Sequence, residues 1–372
     1  MSQACIRALA LAIQAEVPTI AWGTPGVGKT KIANAICNAL HRRIYTVIPA
    51  IREPADFGGY PCPSGDGKVH MLPAGEPWAN LKEGDVVFLD EISCAPPAVQ
   101  SALLRPVLEG YVGDLRLPRV SWIAAANPPE QAAGGWNLAP PLANRFCHIR
   151  WATDAREWRD GMIAGFPVPT FSRVPEDWKR HFPVTYAQVA SFVGANPQKL
   201  EPGVPKDESK AGGAWASPRT WEMVARVSAA VRSIGGNLDV DALLISGCVG
   251  EGVGMEFLHW RQNLDLPDPE ELLANPKKFK LPSRGDLQFT VLASVAAAAL
   301  SNMNKERWHA AWEIFHSAAS QGAKDVAAAS VRTLAAARSK HKELPYPSAT
   351  ILKPFIEILQ AAGQLVVEEP AK

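Results

Sequence analysis

The first 150 residues hold four short apolar runs, at 19–22, 44–48, 85–89 and 121–125, and three of them lead directly into a polar or glycine-bearing turn. Runs of this length and composition predict β-strands, and the helical periodicity between them predicts an α/β domain with a mostly parallel sheet. Ligands of such sheets sit at the carboxyl ends of the strands, so those turns are where a site is expected. Between the second and third runs, residues 52–77 contain Gly58, Gly59, Gly65, Gly67 and Gly75, which exclude a continuous helix. A connection this long in a compact domain is usually functional. Residues 110–118 predict a small hairpin ahead of the next strand.

Past residue 150 the pattern changes. A segment with Trp151, Trp158, Pro167, Pro169, Pro175 and Trp178 leads into helical periodicity from near Tyr186, and residues 198–213 read as a polar loop. Ser217-Pro218 then predicts a helix start, because serine suits the N-cap and proline the first turn. Alanine-rich helices are expected at about 286–303, 305–319, 323–338 and 350–362. The fold class is therefore an α/β core followed by all-α regions.

Composition narrows the picture modestly. With 372 residues, 47% hydrophobic and 20% charged, the chain is long enough for two or three globular domains. A net charge of +1 gives no global pull toward nucleic acid or an acidic membrane. The six cysteines at 5, 37, 62, 94, 147 and 248 form no CxxC pair, so reduced thiols of a cytoplasmic protein are expected. Arg7 and Glu16 interrupt the apolar N-terminus, unlike a signal peptide, and the run 291–300 is far shorter than the roughly 20 residues of a membrane span.

The strongest chemical signal is Gly23-Thr24-Pro25-Gly26-Val27-Gly28-Lys29-Thr30, which fits G-x-x-x-x-G-K-(S/T) between a predicted strand and a helical stretch. The glycines let backbone N–H groups wrap phosphates, and the helix N-terminus adds its positive dipole. Lys29 is placed to reach the β- and γ-phosphates of ATP, and the Thr30 hydroxyl to ligate Mg²⁺. The second signal is Val86-Val87-Phe88-Leu89-Asp90-Glu91, a buried strand ending in two carboxylates. Asp90 is placed to hold Mg²⁺ and Glu91 to polarise the attacking water, since phosphoryl transfer needs positioning and charge stabilisation. Asn127, at the end of the fourth run, can bond that water or the γ-phosphate. Arg145 near the domain boundary suits a neighbouring subunit's nucleotide as an arginine finger. Arg219, in the first turn of the Ser217-Pro218 helix, can reach a γ-phosphate and so tie domain closure to nucleotide state. Taken singly, the last three positions also suit a turn or a surface ion pair.

With these five elements in order, residues 1 to about 250 resemble the MoxR family of AAA+ ATPases. Gly58-Gly59-Tyr60 with Gly67-Lys68-Val69 sits where that family inserts a segment into the second core helix. Asp90-Glu91-Ile92, Ala95-Pro96-Pro97 and Gln100-Ser101-Ala102-Leu103-Leu104 resemble its helix after Walker B, and Ser217-Pro218-Arg219 its sensor 2. The resemblance implies a core at 1–152, a helical lid with sensor 2 at 153–258 and a C-terminal helical extension at 259–372. It also implies Asn127 as sensor 1, Arg145 as the arginine finger, a ring that is usually hexameric, and a protein client, in many members one linked to a von Willebrand factor A domain. The family's usual Asp before the Arg-Phe pair is Asn144 here, which alters the ion pairing around Arg145.

Other features point elsewhere only weakly. Lys277-Lys278-Phe279-Lys280 is a basic cluster with an aromatic that suits nucleic acid, or a solvated loop. His309 and His316 share a helix face without the carboxylate of a metal motif. Three functions compete: a ring ATPase remodelling proteins, a nucleic-acid motor or loader, and a nucleotide-gated switch with negligible turnover. Glu91, Asn127 and Arg145 together speak against a switch, and the charge balance against nucleic acid.

Overall fold

The computed structural model describes residues 3–65, 67–128, 135–151, 153–264, 266–338, 341 and 343–365. In chain order the strands are β1 (Thr19–Trp22), β2 (Ile44–Val47), β3 (Tyr60–Pro63), β4 (Val69–Leu72), β5 (Val86–Leu89), β6 (Tyr111–Val112), β7 (Leu115–Arg116), β8 (Ser121–Ala126) and β9 (Cys147–Arg150). Five of them form one parallel sheet in the order β2-β5-β8-β1-β9. Every residue of β5 and β8 is buried, as expected of strands covered on both faces, which read as unbroken apolar runs. The four strands expected from the sequence are all present. The fifth, Cys-His-Ile-Arg, is too polar to announce itself and is defined by its pairing with β1.

Pairing also sets which strand ends meet. Trp22 lies level with Ala126, and Leu89 with Ala124, so the carboxyl ends of β5, β8 and β1 stand side by side. Cys147 pairs with Thr19, and its N–H donates to Pro18 O at 2.7 Å, so the residues just before β9 lie at the opposite, amino end of the sheet.

Helix α1 (Gln3–Gln14) buries Ile6, Leu9 and Ile13, and helix α2 (Lys29–Ala39) follows β1. The helix Leu238–Val249 packs on both α1 and β9. Gly247 permits that approach: a Cβ there would stand 2.5 Å from His148 O and 2.9 Å from Cys147 Sγ. Gly247→Ala is expected to destabilise by about 1–3 kcal/mol, read as a lower urea midpoint with unchanged slope.

The glycine-rich segment 52–77 is not one loop. It holds the antiparallel pair β3–β4, which meets the turn of the β6–β7 hairpin: Asp114 N–H donates to Met71 O at 2.7 Å, and Met71 N–H to Asp114 Oδ2 at 2.8 Å. A side chain at Gly113 would stand 2.1 Å from Met71 O, so only glycine permits the approach.

Packing divides the chain into two compact units, residues 1–178 with 198–258, and residues 179–197 with 259–372. Residues 198–258 fall in the first unit because the helices around 218–249 pack on α1 and β9. Residues 179–197, expected within the stretch 153–258, join the C-terminal helices instead. Helix Phe182–Ala195 packs along Gly285–Ser301, and Thr290 Oγ1 donates to Ser191 Oγ at 2.6 Å. That unit's core is built on Trp308, Trp312, Phe315 and Phe355. Its helices Gly285–Ser301, Lys305–Ser320 and Lys324–Ala337 match the expected positions, while the last expected helix is divided around Pro354 into Ala349–Leu352 and Ile356–Ala361. Phe279 is buried in this core, so Lys277, Lys278 and Lys280 present no aromatic platform.

Candidate functional site

The turn after β1 has the backbone its sequence demands. Gly26 and Gly28 adopt φ of 81° and 87°, a region side chains disfavour, and Gly28 is the N-cap of α2. Gly23 meets a different constraint, since a Cβ would lie 3.1 Å from the Trp151 carbonyl oxygen and Cβ. With Thr24, Pro25 and Val27 the turn places Lys29 and Thr30 in the first turn of α2, under the uncapped amide end of that helix.

Lys29 Nζ donates to Gly23 O at 2.7 Å, Thr24 O at 3.1 Å and Asn127 Oδ1 at 2.9 Å, which uses its three donors. Burial holds its pKa below the ordinary lysine value, against the charges of Asp90 and then Glu91. Thr30 Oγ1 donates to Asp90 Oδ2 at 3.0 Å, so a hydroxyl and a carboxylate converge. Hard oxygens of this kind, few in number, are what Mg²⁺ takes from a protein when phosphates complete its shell, so the residues fit that ion.

Asp90 directly follows β5, and its Oδ1 accepts from the Glu91 N–H at 3.1 Å. Glu91 itself is left-handed, with φ 54° and ψ 39°, and exposed. A non-glycine residue there is strained by roughly 1–3 kcal/mol, a feature that clusters at functional sites. Asn127, next in line after β8, donates its N–H to the hydroxyl of Ser93 at 3.2 Å. Ser93 is wholly buried, and its carbonyl accepts from Trp136 N–H at 2.7 Å. Ser93 is not legible in the sequence, since a serine two residues beyond the carboxylates carries no pattern of its own.

Arg145 and Arg219 are gathered elsewhere. Arg145 lies two residues before β9, at the amino end of the sheet, whereas the phosphate-type turn leaves the carboxyl end of β1. The four residues of β1 between them span about 13 Å, longer than an arginine side chain. One Arg145 guanidinium nitrogen bonds Pro141 O, and its Nε is buried without a partner. Burial first, then the like charge of Arg219, holds the Arg145 guanidinium below its ordinary pKa, with Glu109 acting the other way. Arg219 is exposed in the first turn of Pro218–Ser233. The expected N-cap Ser217 is there, in a capping box with Thr220. Asn144, in place of the aspartate of the resembled family, forms no ion pair; it donates to Trp215 O at 3.0 Å and accepts from Ser217 Oγ at 2.7 Å.

A second residue the sequence did not announce is His148. The Trp22 indole can only donate, so its 2.9 Å bond requires a bare His148 Nδ1, and the proton on Nε2 donates to Ala143 O at 2.9 Å. Burial pushes His148 down to about 4. Unfolded, it takes a proton below about pH 6.5. The unfolded state thus binds the additional proton between these values, so stability falls on acidification from about pH 6.5, by about 3 kcal/mol at pH 4. Urea midpoints at pH 6.5, 5 and 4 test this, and His148→Gln should show a shallower acid-side fall.

Residues 18–146 match the AAA domain of the dynein-related subfamily. The chain is 33% identical over 95 residues to Holliday junction branch migration complex subunit RuvB 2 of Synechococcus sp., covering 25% of this chain and 21% of that protein. It is 29% identical over 143 residues to RuvB 1 of the same organism, covering 35% and 32%. The chain therefore spans under a third of the length of these curated relatives. Among solved structures, a candidate ATPase of Cytophaga hutchinsonii aligns with TM-score 0.42 and 18% identity, over 68% of this chain and 88% of that one. The RuvB branch migration motor of Thermotoga maritima aligns with TM-score 0.30 and 14% identity, over 81% of each. With the domain match over residues 18–146, the parallel order β2-β5-β8-β1-β9 and the helical C-terminal region give this chain the AAA+ P-loop NTPase fold.

Proposed function

We propose that the protein is an ATP-hydrolysing remodelling ATPase, similar to MoxR proteins, that acts as an oligomeric ring, probed first as a hexamer, on a protein partner. The observation that supports it most is the division of the site between two ends of one sheet. Lys29, Thr30, Asp90, Glu91 and Asn127 lie at the carboxyl end, and Arg145 at the amino end. One chain then holds an ATP and offers its arginine to the ATP of the next.

In this reading Lys29 leaves the Gly23 and Thr24 carbonyls for the β- and γ-phosphates. Thr30 and Asp90 hold Mg²⁺, which when bound supplies positive charge against the phosphate oxygens. Glu91 orients the attacking water and accepts its proton, Asn127 fixes the γ-phosphate side of that water, and Arg145 of a neighbour stabilises the charge developing on the transferred group. A MoxR-like chaperone role and a von Willebrand factor A domain partner rest on the sequence resemblance alone.

A second reading, a nucleic-acid motor or loader, draws on the match to RuvB subunits, whose name places them in a branch migration complex. The burial of Phe279 takes the aromatic out of the Lys277-Lys278-Lys280 cluster, which weakens that reading. Among the described residues no helix is long and apolar enough to cross a membrane.

The decisive experiment is particle mass by light scattering of the Glu91→Gln variant, with and without ATP and Mg²⁺, beside wild-type ATP turnover. Growth toward six subunits with ATP, and wild-type turnover indifferent to DNA, support the reading. A chain that binds ATP and stays monomeric sinks the ring, and turnover stimulated by DNA with steep salt dependence transfers the case to the second reading.

A further inference from the structure

We propose that Asn144 is a positioning residue: its carboxamide yokes Arg145 to Arg219, so that the two guanidiniums meet one phosphate-bearing ligand, held by a neighbouring copy, as a single rigid pair. The inference rests on the ring-ATPase reading for its partner, and on hydrogen-bond geometry for the yoke.

Asn144 is only 4% exposed, and its side chain uses both ends. Its Nδ2 donates to Trp215 O, and its Oδ1 accepts the Ser217 hydroxyl proton. Ser217 in turn caps the helix that carries Arg219: its hydroxyl accepts from Thr220 N–H at 3.3 Å, and its own N–H donates to Thr220 Oγ1 at 2.8 Å. On the other side, His148 Nε2 pins the carbonyl of Ala143 at 2.9 Å, and Asn144 N–H donates to Pro140 O at 3.0 Å. The chain is thus fixed one residue before Arg145 and two residues before Arg219, and a side-chain-to-side-chain bond joins the two fixed points. Neither arginine has freedom to reorient its backbone without breaking a buried bond, which costs more than an exposed one.

The choice of asparagine matters chemically. A carboxylate at 144 could still accept from Ser217, but it has no proton for Trp215 O. The neutral amide holds the backbone and leaves the two positive charges unpaired with each other. Like charges held together gain most when a multiply charged anion arrives, and guanidiniums bind phosphate with paired N–H bonds. In this arrangement Arg219 acts with Arg145 on a neighbour's nucleotide.

The test is a set of double-mutant cycles on ATP turnover. Asn144→Ala is expected to lower kcat about 10- to 100-fold, the scale of a misplaced catalytic group, with KM and nucleotide Kd within about twofold. Ser217→Ala, which removes the same bond from the other side, is expected to give the same signature, and the double variant no more than either. In an Arg145→Ala, Arg219→Ala background Asn144→Ala should change kcat less than about threefold, because nothing remains to position. Asn144→Asp should also lose rate despite its shape. An Asn144 effect that persists undiminished in the arginine-free background, or a folded Asn144→Ala protein with wild-type kcat, overturns the yoke. If wild-type protein hydrolyses no ATP, the ATPase reading falls by itself, and the yoke is then read from tripolyphosphate binding to Lys29→Ala chains. There Asn144→Ala should weaken binding about 10-fold, and in an Arg145→Ala, Arg219→Ala background it should weaken it no further; affinity unchanged by Asn144→Ala overturns it.

Discussion

Arg145→Ala is expected to lower ATP turnover about 10³- to 10⁵-fold, with the nucleotide affinity of a single chain almost unchanged. The asymmetry follows from position. Arg145 precedes β9 at the amino end of the sheet, while Lys29, Thr30 and Asp90 gather at the carboxyl end, so deleting it touches nothing that holds the chain's own nucleotide. Its Nε is already buried without a partner, so the truncation removes an unsatisfied donor and its effect on folding is small beside that on turnover. The trans arrangement is tested by mixing Arg145→Ala with Glu91→Gln chains, each inactive alone. Some sites in a mixed ring then combine an intact Glu91 with a neighbour's intact Arg145. Recovery of turnover in proportion to such sites is expected, and co-assembled rings that stay inactive refute a shared site.

The second large effect is that of Glu91→Gln, expected to slow hydrolysis about 10²- to 10⁴-fold while ATP remains bound and the assembled state persists. Glutamine keeps the length of the side chain and loses only the charge and the proton-accepting oxygen. The left-handed backbone at 91 is retained, because the strain there comes from the Cβ and not from the carboxylate. Asp90 still accepts from Thr30, so the pair of oxygens that suits Mg²⁺ is intact. Single-turnover hydrolysis with parallel nucleotide binding checks this. A loss of binding equal to the loss of rate would move Glu91 from water activation to nucleotide retention.

The two variants also separate what the residues do from what they resemble. Lys29 and Asn127 are joined directly, so a substitution at either disturbs the other. Arg145 and Glu91 share no such bond, and their effects should multiply within one chain and complement between chains.

Much of this was legible in the chain itself. The phosphate-type turn is a local object: Gly26 and Gly28 occupy backbone angles that few other residues accept, so their spacing before Lys29 and Thr30 is forced by sterics and is visible as a string. The same holds for Ser217-Pro218, where the cap and the fixed proline angle specify a helix start without help from the rest of the fold. The buried strands β5 and β8 announce themselves as apolar runs because both faces are covered. What the tertiary structure alone decided lies in pairings between residues far apart in the chain. Strand β9 exists through its partnership with β1, and the register of that pair places Arg145 at the far end of the sheet from Lys29. Residues 179–197 belong with the C-terminal helices because small polar side chains such as Ser191 and Thr290 let two helices approach, a match of surfaces no local pattern contains. Ser93, Asn144 and His148 carry their roles entirely in hydrogen bonds to distant atoms. A side chain's type and its neighbours in sequence limit which bonds it can form, but only the folded chain determines which donor and acceptor meet away from water, where a missing bond is costly and the pairing becomes specific.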